Sequence, residues 1–409
     1  MICSLVFAGY PKKSYFAKPF QHIVILSVII VNYNVKFFLE QCLCSVRKSI
    51  LQQKELSSAS EIIVVDNHST DGSLEWLSPA FSEIHFIKNE TNTGFSAACN
   101  QGLKKATGKY LLFLNPDTIL PENFFQVCIS FLESNQTAGA VGVRMIDGAG
   151  NFLKESKRGF PSPWASFCRL SGISSVFPRS RWFSYYYMGH LNEHQTHSVD
   201  VLSGACMLAT KAALEKTGGF DENFFMYAED IDLSYRILKA GFSNYYLPLT
   251  TIIHFKGEST RKDRQYIDQF YLAMDQFSQK HMPGNRFFHS ILRTAVRVRS
   301  GIAKVGQPIR KEIPNSKGSK IVLEGDANSA REVLRPLELM GIKIVSTEEE
   351  SDKILFCEGP GFPFKKIIEF IDKKKGRKRF RIYAAGSRSF VGSDSSEEPG
   401  EAISIQIIK

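Results

Sequence analysis

The feature that most constrains the fold is an alternation of nearly continuous apolar runs with segments of helical periodicity. The runs are rich in Val and Ile and end in polar residues, which is typical of strands buried on both faces of a parallel sheet. The four runs occupy residues 22–34, 61–70, 84–89 and 109–117. Such an alternation predicts an α/β fold with an open, mostly parallel, Rossmann-like central sheet.

Further elements follow the fourth run. A strand and then a helix are predicted over 199–214, and another strand over 243–255. Residues 144–198 are rich in aromatic and basic side chains, and their pattern does not predict particular elements. The strand–helix alternation returns over 318–409 and predicts a second, small, Rossmann-like α/β domain, although it lacks GxGxxG and P-loop spacing.

These patterns divide the chain into four parts. We expect residues 1–22 to form a disordered extension, because their short apolar run is interrupted by "PKK" and makes a poor signal peptide. The main α/β domain is predicted over 23–285, a basic amphipathic helix and linker over 286–317, and the small domain over 318–409.

Charge and cysteine usage narrow the class of protein. The 409 residues carry a net charge of +10, which suits an anionic partner such as a nucleotide, an anionic lipid or a nucleic acid. Eight cysteines lie without CxxC or zinc spacing, as expected for reduced core thiols of a cytoplasmic protein. No apolar run approaches the ~20 residues that a membrane-spanning helix needs.

The segment 286–304 places apolar residues on one side at helical spacing and arginines on or beside the other. A basic amphipathic helix of this kind can lie in a membrane interface, which predicts peripheral contact with the inner face of the cytoplasmic membrane. The alternative is a helix packed on the main domain with a solvated basic face.

Polar side chains follow three predicted strands of the main sheet. Asn32 and Asn34 end the first run, Asp66 the second and Asp117 the fourth. Because ligands bind beyond the carboxyl ends of the strands in such sheets, this edge is the predicted ligand site. Each aspartate could instead be only a turn or cap residue.

The stretch "YAEDIDLSYR", residues 227–236, crowds three carboxylates into four positions. Acidic residues favour the first turn of a helix, because free N–H groups lie there. Asp232 and Arg236 are four residues apart and can form an ion pair along that helix. Taken alone, the stretch could therefore be a helix start without a chemical role.

Six motifs in order change that interpretation. They are "LSVIIVNYN", "IIVVDNHSTDGS", "NTGFSAACNQG", "YLLFLNPD", "SGACMLA" and "GGFDENFFMYAEDIDLSYR". The ordered set resembles the inverting family 2 glycosyltransferases of GT-A fold, with particular similarity to the bacterial rhamnosyltransferase-like branch, over about residues 23–285.

The resemblance implies an enzyme that moves a sugar from a nucleoside-diphosphate sugar, dTDP-rhamnose or a UDP-hexose, to a glycan acceptor. It also implies that the acceptor is a lipid-linked oligosaccharide used in cell-surface polysaccharide synthesis. We therefore expect a cytoplasmic protein that contacts the membrane surface.

The resemblance also implies roles for individual residues. Asp230 stands where the family has its general base, and Glu229 would orient the loop or the acceptor. Asp117 would bind Mg²⁺ or Mn²⁺, with His254 completing the metal shell. Asp66 would contact the nucleotide base. The further residues expected at the donor site are Asn32, Asn34, Gly94, Asn100, Asn115, Ser203 and Gly204.

The metal motif departs from the family pattern. Asn115-Pro116-Asp117 stands in place of DxD, and an asparagine offers a carbonyl oxygen without charge. The substitution leaves the tightness of metal binding open.

The sequence bears on three other classes of protein. A processive polysaccharide synthase would carry QxxRW after the base, but here Arg181-Trp182 precedes Asp230. A nucleic-acid binder would need aromatic stacking platforms between its basic residues, which gather in 286–320 and 365–381 without them, so we expect no nucleic-acid partner. A non-catalytic module that binds a nucleotide sugar or a glycan stays open as the alternative.

Overall fold

The computed structural model describes residues 24–258, 264–281, 319–396 and 398–406. In these ranges the chain forms two sheets flanked by helices. The extension predicted over 1–22 and the basic helix predicted over 286–304 lie outside the described residues. The domain boundaries at 285/286 and 317/318 lie outside them too and stay predictions.

The first sheet contains nine strands within the described residues. They are β1 (Leu26–Asn32), β2 (Ser60–Asp66), β3 (His85–Lys88), β4 (Tyr110–Leu114), β5 (Thr118–Ile119), β6 (Ala138–Ile146), β7 (His197–Val199), β8 (Cys206–Thr210) and β9 (Ser243–His254). Their order across the sheet is β3-β2-β1-β4-β8-β6-β9-β5, and β7 pairs with β9.

The strand directions confirm the predicted α/β class. β3, β2, β1 and β4 are parallel neighbours, and they are the strands predicted from the four apolar runs. β8 is antiparallel to both β4 and β6, and β6 and β9 are again parallel. β1 and β4 are buried along their whole length, which explains why their sequences are apolar without alternation.

Helices cover both faces of this sheet. They are α1 (Lys36–Leu51), α2 (Lys54–Ser57), α3 (Ser73–Leu77), α4 (Phe95–Lys105), α5 (Phe124–Ser134), α6 (Pro163–Leu170), α7 (Ile173–Val176), α8 (Lys211–Thr217), α9 (Glu229–Lys239) and α10 (Arg264–His281). The region whose elements the sequence did not predict contains α6, α7, β7 and two 3₁₀ turns, Lys154–Ser156 and Tyr185–Tyr187.

The second sheet has six strands within the described residues, in the order β11-β10-β12-β13-β14-β15. They are β10 (Lys320–Gly325), β11 (Lys343–Val345), β12 (Lys353–Cys357), β13 (Arg379–Tyr383), β14 (Ser389–Gly392) and β15 (Glu401–Ser404), and the helices are α11 (Ala327–Leu339) and α12 (Phe364–Lys374). The first four strands are parallel, as the alternation predicts, whereas β14 and β15 add an antiparallel edge.

The two sheets are joined by a shared core. Phe38 of α1 and Phe255 after β9 pack in one buried cluster with Phe356 of β12 and Phe364 of α12. Gln41 of α1 adds buried hydrogen bonds, since its Nε2 donates to the Ser389 carbonyl at 2.7 Å and its Oε1 accepts from Ala384 N–H at 2.9 Å. The small domain therefore packs directly against the side of the main sheet that carries β5 and β9.

The described cysteines are all free, and all but Cys44 are buried. This agrees with their interpretation as core thiols.

Candidate active site

Asn32 and Asp66 lie side by side at the carboxyl ends of β1 and β2. Asn32 Nδ2 donates to Asp66 Oδ2 at 2.7 Å, and the Ser69 N–H donates to Asp66 Oδ1 at 2.9 Å. Asp66 is buried, and Asn32 Oδ1 is a buried acceptor to which no described residue donates a hydrogen bond. The pair fixes the start of the loop after β2 and leaves one polar atom available.

Asn34 forms hydrogen bonds with the same loop, at Ser69 and Thr70. Its backbone is left-handed, with φ of 57°, and its N–H donates to Ser69 Oγ at 3.0 Å. Its Oδ1 accepts from the Thr70 N–H at 2.7 Å. Asn34 thus holds the loop that follows Asp66.

Asn115, Asp117 and His254 converge at the ends of β4 and β9. His254 Nε2 lies 3.3 Å from Asp117 Oδ1 and 3.4 Å from Asn115 Nδ2. The first separation is an ion-pair distance. Among the described residues, Asp117 Oδ1 accepts no hydrogen bond, and His254 Nδ1 is also buried without a partner. β5 pairs with β9 so that Thr118 faces His254, which fixes the spacing of the two side chains.

Glu258 lies close to this group, and the sequence did not single it out. Its Oε1 accepts from the Gly400 N–H of the small domain at 2.7 Å. Burial, followed by the charge of Asp117, raises the pKa of Glu258 to about 8. The second domain therefore contacts the connection that follows His254.

Asp230 lies in the first turn of α9 and is held by several donors. Arg158 Nη2 and the Gly204 N–H both donate to its Oδ2, the latter at 3.0 Å, and the Ile231 N–H donates to its Oδ1 at 2.8 Å. Burial alone would lower the pKa of Arg158, but the charge of Asp230 and the contact with Tyr186 outweigh it, so that pKa is raised.

Glu229 points into the protein. It is 7% exposed, and its Oε2 has no hydrogen-bond partner in the part of the chain that the structure describes. Burial, and then the charge of Asp230, raises the pKa of Glu229 to about 8. The pKa of Cys99 on α4 is raised too, mainly by burial of the thiol and then by Glu229. The buried side chain is thus placed to support the helix start.

The backbone before these carboxylates is strained. Tyr227 and Ala228 are consecutive non-glycine residues with φ of 68° and 62°. Such left-handed backbone costs on the order of 1 kcal/mol per residue and persists where surrounding contacts enforce it. Here it turns the chain so that α9 begins with Asp230 facing Gly204.

The loop before β8 links the two halves of the site. The Asn115 N–H donates to the Ala205 carbonyl at 2.9 Å, while Gly204 contacts Asp230. A Cβ at Gly204 would lie 3.2 Å from the Cβ of Asp230, so only glycine leaves this approach free. Ser203 is 8% exposed, and its Oγ accepts from the Ala205 N–H at 3.3 Å.

Gly94 and Asn100 hold the connection that leads to α9. Asn100 binds both backbone groups of Phe220 at 2.9 Å and donates to Glu222. The Gly94 N–H donates to Asn92, and the next N–H, that of Phe95, donates to the Phe225 carbonyl at 2.7 Å. Those two N–H groups at the start of α4 are therefore already satisfied by the protein.

Asp232 serves a different purpose from its neighbours. It is fully buried and contacts Arg236 at 2.7 Å, Lys280 at 2.6 Å and His281 at 2.7 Å. The contacts with Lys280 and His281 join α10 to α9. The contact with Arg236 is the ion pair expected along α9.

The chemistry of the donor set fits a divalent ion. Asp117 Oδ1 is a buried carboxylate oxygen without a hydrogen bond from the described residues, and the imidazole of His254 lies beside it. Within the described residues, no three His, Cys, Asp or Glu side chains are grouped closely enough to hold a metal by themselves. Mg²⁺ commonly takes only one or two protein ligands and fills its shell with substrate phosphates and water.

The fold and this polar edge define an α/β protein with a ligand site at the carboxyl ends of its strands. Residues 27–218 match the family model Glycosyl transferase family 2. The chain therefore carries a family 2 glycosyltransferase domain, as the ordered motifs predict.

Several relatives are similar over most of their own length. An N-acetylglucosaminyl-diphospho-decaprenol L-rhamnosyltransferase of Mycobacterium tuberculosis (strain ATCC 25618 / H37Rv) is 28% identical over 254 residues, which covers 58% of this chain and 78% of the relative. The low-salt glycan biosynthesis hexosyltransferase Agl10 of Haloferax volcanii is 25% identical over 64% of this chain and 76% of its own. Rhamnosyltransferase WbbL of Escherichia coli (strain K12) is 28% identical over 46% and 69% respectively.

Among solved structures, the mannosyltransferase PcManGT from Pyrobaculum calidifontis in complex with GDP-Man and Mn²⁺ superposes with a TM-score of 0.43 and 15% identity. It covers 71% of this chain and 77% of the solved chain. Within the described residues of the present chain, no helix combines the length and apolar character needed to cross a membrane.

Proposed function

We propose that this glycosyltransferase moves a sugar from dTDP-rhamnose or a UDP-hexose to a lipid-linked glycan acceptor, with inversion at the anomeric carbon. One observation carries the proposal. Asp117 and Asp230 lie at the two ends of a short chain of contacts through Asn115, Ala205 and Gly204. A donor diphosphate at the first carboxylate would place its sugar toward the second.

Asp230 is the general base in this proposal. A base must accept the proton of the attacking hydroxyl on the face opposite the leaving group. Its Oδ2 is fixed by Arg158 and Gly204, so the carboxylate is oriented before the acceptor arrives. Glu229, buried behind the helix start, keeps α9 in position.

Asp117 and His254, with Asn115 at their side, would hold Mg²⁺ or Mn²⁺. A bound divalent ion supplies positive charge that offsets the charge growing on the leaving diphosphate. Asp66 and Asn32 lie at the far end of the same edge, where the unpartnered Asn32 Oδ1 and the Asp66 carboxylate are suited to the nucleotide base.

The Mycobacterium tuberculosis relative is named for a diphospho-decaprenol acceptor, and by analogy we propose a polyprenyl-diphosphate-linked glycan here. Such an acceptor resides in a membrane, so we also propose peripheral contact with the inner face of the cytoplasmic membrane through residues 286–304.

The test is a thermal-shift screen of nucleoside diphosphates with and without Mn²⁺. Ligands that bind the native state raise the unfolding midpoint by mass action. We expect metal-dependent stabilisation by dTDP or UDP, which Asp117→Ala abolishes and Asn115→Asp enhances at low Mn²⁺ by restoring a second charge. Asp221→Ala, at a partly exposed carboxylate outside the metal group, is the control.

The alternative is a non-catalytic nucleotide-sugar or glycan-binding module. A nucleotide-sugar-binding module would show the same nucleotide stabilisation but no donor turnover, whereas a glycan-binding module would show neither. Absence of stabilisation by every nucleotide, with a folded protein, would contradict the proposed transfer and favour the glycan-binding module.

A further inference from the structure

The segment between Arg158 and Tyr186 exposes an unusual amount of apolar side chain. Of the large apolar residues exposed in the described part of the chain, half fall between residues 164 and 182. They are Trp164, Phe167, Val176, Phe177 and Trp182, with exposed fractions from 48% to 76%. We call these five residues the aromatic surface.

The aromatic surface is continuous rather than scattered. The rings of Trp164 and Phe167 lie 5.7 Å apart, and Phe183 bridges Trp164 at 6.0 Å and Phe177 at 5.4 Å. Trp164 Nε1 also donates to the Trp182 carbonyl at 3.0 Å. A contiguous exposed patch of this kind marks an interaction site, whereas single exposed apolar residues do not.

The positive charge of this segment favours an anionic partner. From residue 156 to residue 192 the sequence contains no acidic residue but carries Lys157, Arg158, Arg169, Arg179 and Arg181. Arg179 and Arg181 are exposed beside the aromatic surface. Tryptophan together with arginine is typical of surfaces that lie at the boundary between lipid headgroups and acyl chains, where the rings enter the boundary and the cations meet anionic headgroups.

Both ends of the segment that carries this surface lie at the base. Arg158, before the segment, donates to Asp230, and Gly159 N–H donates to the Tyr186 carbonyl at 2.9 Å where the chain returns. A bilayer seated on the aromatic surface would therefore meet the protein beside the carboxylate that a lipid-linked acceptor has to reach. This last step rests on the proposed function, but the binding of lipid does not.

We propose that the aromatic surface docks on an anionic lipid bilayer, with Trp182 and Phe177 in the interface and Arg179 and Arg181 against the headgroups. This surface is distinct from residues 286–304, and its position orients the acceptor side of the site toward the membrane.

The experiment is cosedimentation of the full chain with vesicles of phosphatidylcholine, with and without phosphatidylglycerol. We expect binding to the anionic vesicles that weakens as salt rises. Trp182→Ser with Phe177→Ser should lower the partition coefficient by roughly 10-fold or more, since two large apolar side chains leave the interface. Arg179→Gln with Arg181→Gln should remove much of the salt-sensitive part of the vesicle binding.

Matched controls distinguish binding through the aromatic surface from nonspecific hydrophobic adsorption. Leu249 and Leu339 are 66% and 64% exposed elsewhere, so Leu249→Ser with Leu339→Ser should bind vesicles like the unmodified chain. Arg293→Gln with Arg297→Gln tests residues 286–304 in the same assay. Transfer to a short-chain, water-soluble acceptor should be unchanged in Trp182→Ser with Phe177→Ser, which separates lipid docking from the proposed reaction.

The proposal is overturned if the unmodified chain does not bind anionic vesicles. That result is expected if the partner of the aromatic surface is a protein. It is also overturned if Trp182→Ser with Phe177→Ser binds them undiminished while Arg293→Gln with Arg297→Gln does not.

Discussion

Arg158 Nη2 donates to Asp230 Oδ2, the oxygen that also accepts from the Gly204 N–H at 3.0 Å. Both side chains are nearly buried, at 11% and 13% exposed. Arg158 also donates to the Leu202 carbonyl at 3.0 Å, so it ties the carboxylate to the loop before β8. The orientation of Asp230 is therefore set by a residue 72 positions earlier in the chain.

Arg158→Lys should lower kcat without a matching change in the KM for the donor. Lysine keeps the positive charge but cannot bridge Asp230 and Leu202 in the same way, and a small misplacement of a reacting group can cost ~10²-fold in rate. Steady-state kinetics measure the split. Arg144→Lys, at a buried arginine paired with Asp372, is the control and should leave kcat near its original value. Equal kcat for Arg158→Lys would show that the contact is not needed for turnover.

Glu229 should make the protein less stable as pH rises. Its folded pKa of about 8 lies above the ordinary value of 4.5, so the folded state keeps a proton that the unfolded chain has lost. Stability from this group is therefore full below about pH 4.5 and declines as pH rises toward 8. Glu229→Gln should raise the thermal midpoint by a few degrees at pH 8 and change it little at pH 4.5.

The readout for Glu229 is the difference in midpoint between variant and unmodified chain across that pH range. Glu90→Gln, at an exposed carboxylate, is the control and should give a flat difference. A flat difference for Glu229→Gln as well would contradict the buried, protonated carboxyl.

Gly400→Ala should weaken metal-dependent nucleotide binding from a distant part of the chain. A Cβ there would lie 2.7 Å from Glu258 Oε1 and 2.8 Å from Phe38 Cζ, so the Glu258 contact near Asp117 has to shift. Calorimetry of nucleoside diphosphate with Mn²⁺ would measure the loss.

The control for Gly400 is Gly361→Ala, where the nearest atom is the flexible end of Asp326 at 3.2 Å. Unchanged affinity in Gly400→Ala would mean that the small domain does not support the metal group.

Asp232→Asn should destabilise the protein while leaving nucleotide binding intact. The variant removes the negative charge that Arg236, Lys280 and His281 share. Breaking a buried ion pair costs up to ~3–5 kcal/mol, and the partial exposure of Lys280 reduces that to about 2 kcal/mol. Urea unfolding measures the change. Asp221→Asn, which removes a second partner of Lys280, should cost under ~1 kcal/mol.

The sequence predicts the parallel half of the first sheet well. β1 and β4 are buried on both faces, so their apolar runs are long and unbroken, and the polar residues after them mark the strand ends. The same logic places Asn32 beside Asp66, because parallel neighbours end at the same edge.

Contacts that depend on long-range packing were not predictable. Arg158 reaches Asp230 because an isolated β-bridge pairs Arg158 with Val201. Residues 144–198 have no regular periodicity from which this bridge could be predicted. The only sequence signal for this contact is that Arg158 lies in a stretch, residues 156–192, without acidic residues. Glu258 meets Gly400 across 142 positions, through a domain interface that hydrophobic periodicity does not encode.

Gly94 and Asn100 have contacts that their motif does not predict. Their proximity to the donor stays a prediction, and in the structure the start of α4 and the Asn100 side chain contact Phe225 and Phe220 in the connection before α9. A small or amide residue near a site can support the loop that carries the chemistry, and the sequence pattern is the same in both cases.

The most direct test is single-turnover transfer by Asp230→Asn, with nucleotide affinity measured on the same preparation. The amide keeps the size of the side chain but cannot accept the acceptor proton, and general-base catalysis contributes about 10²–10⁴-fold. We predict a rate loss in that range with the affinity for dTDP or UDP within about twofold of the unmodified chain. Turnover close to that of the unmodified chain, with nucleotide still bound, would contradict Asp230 as the base.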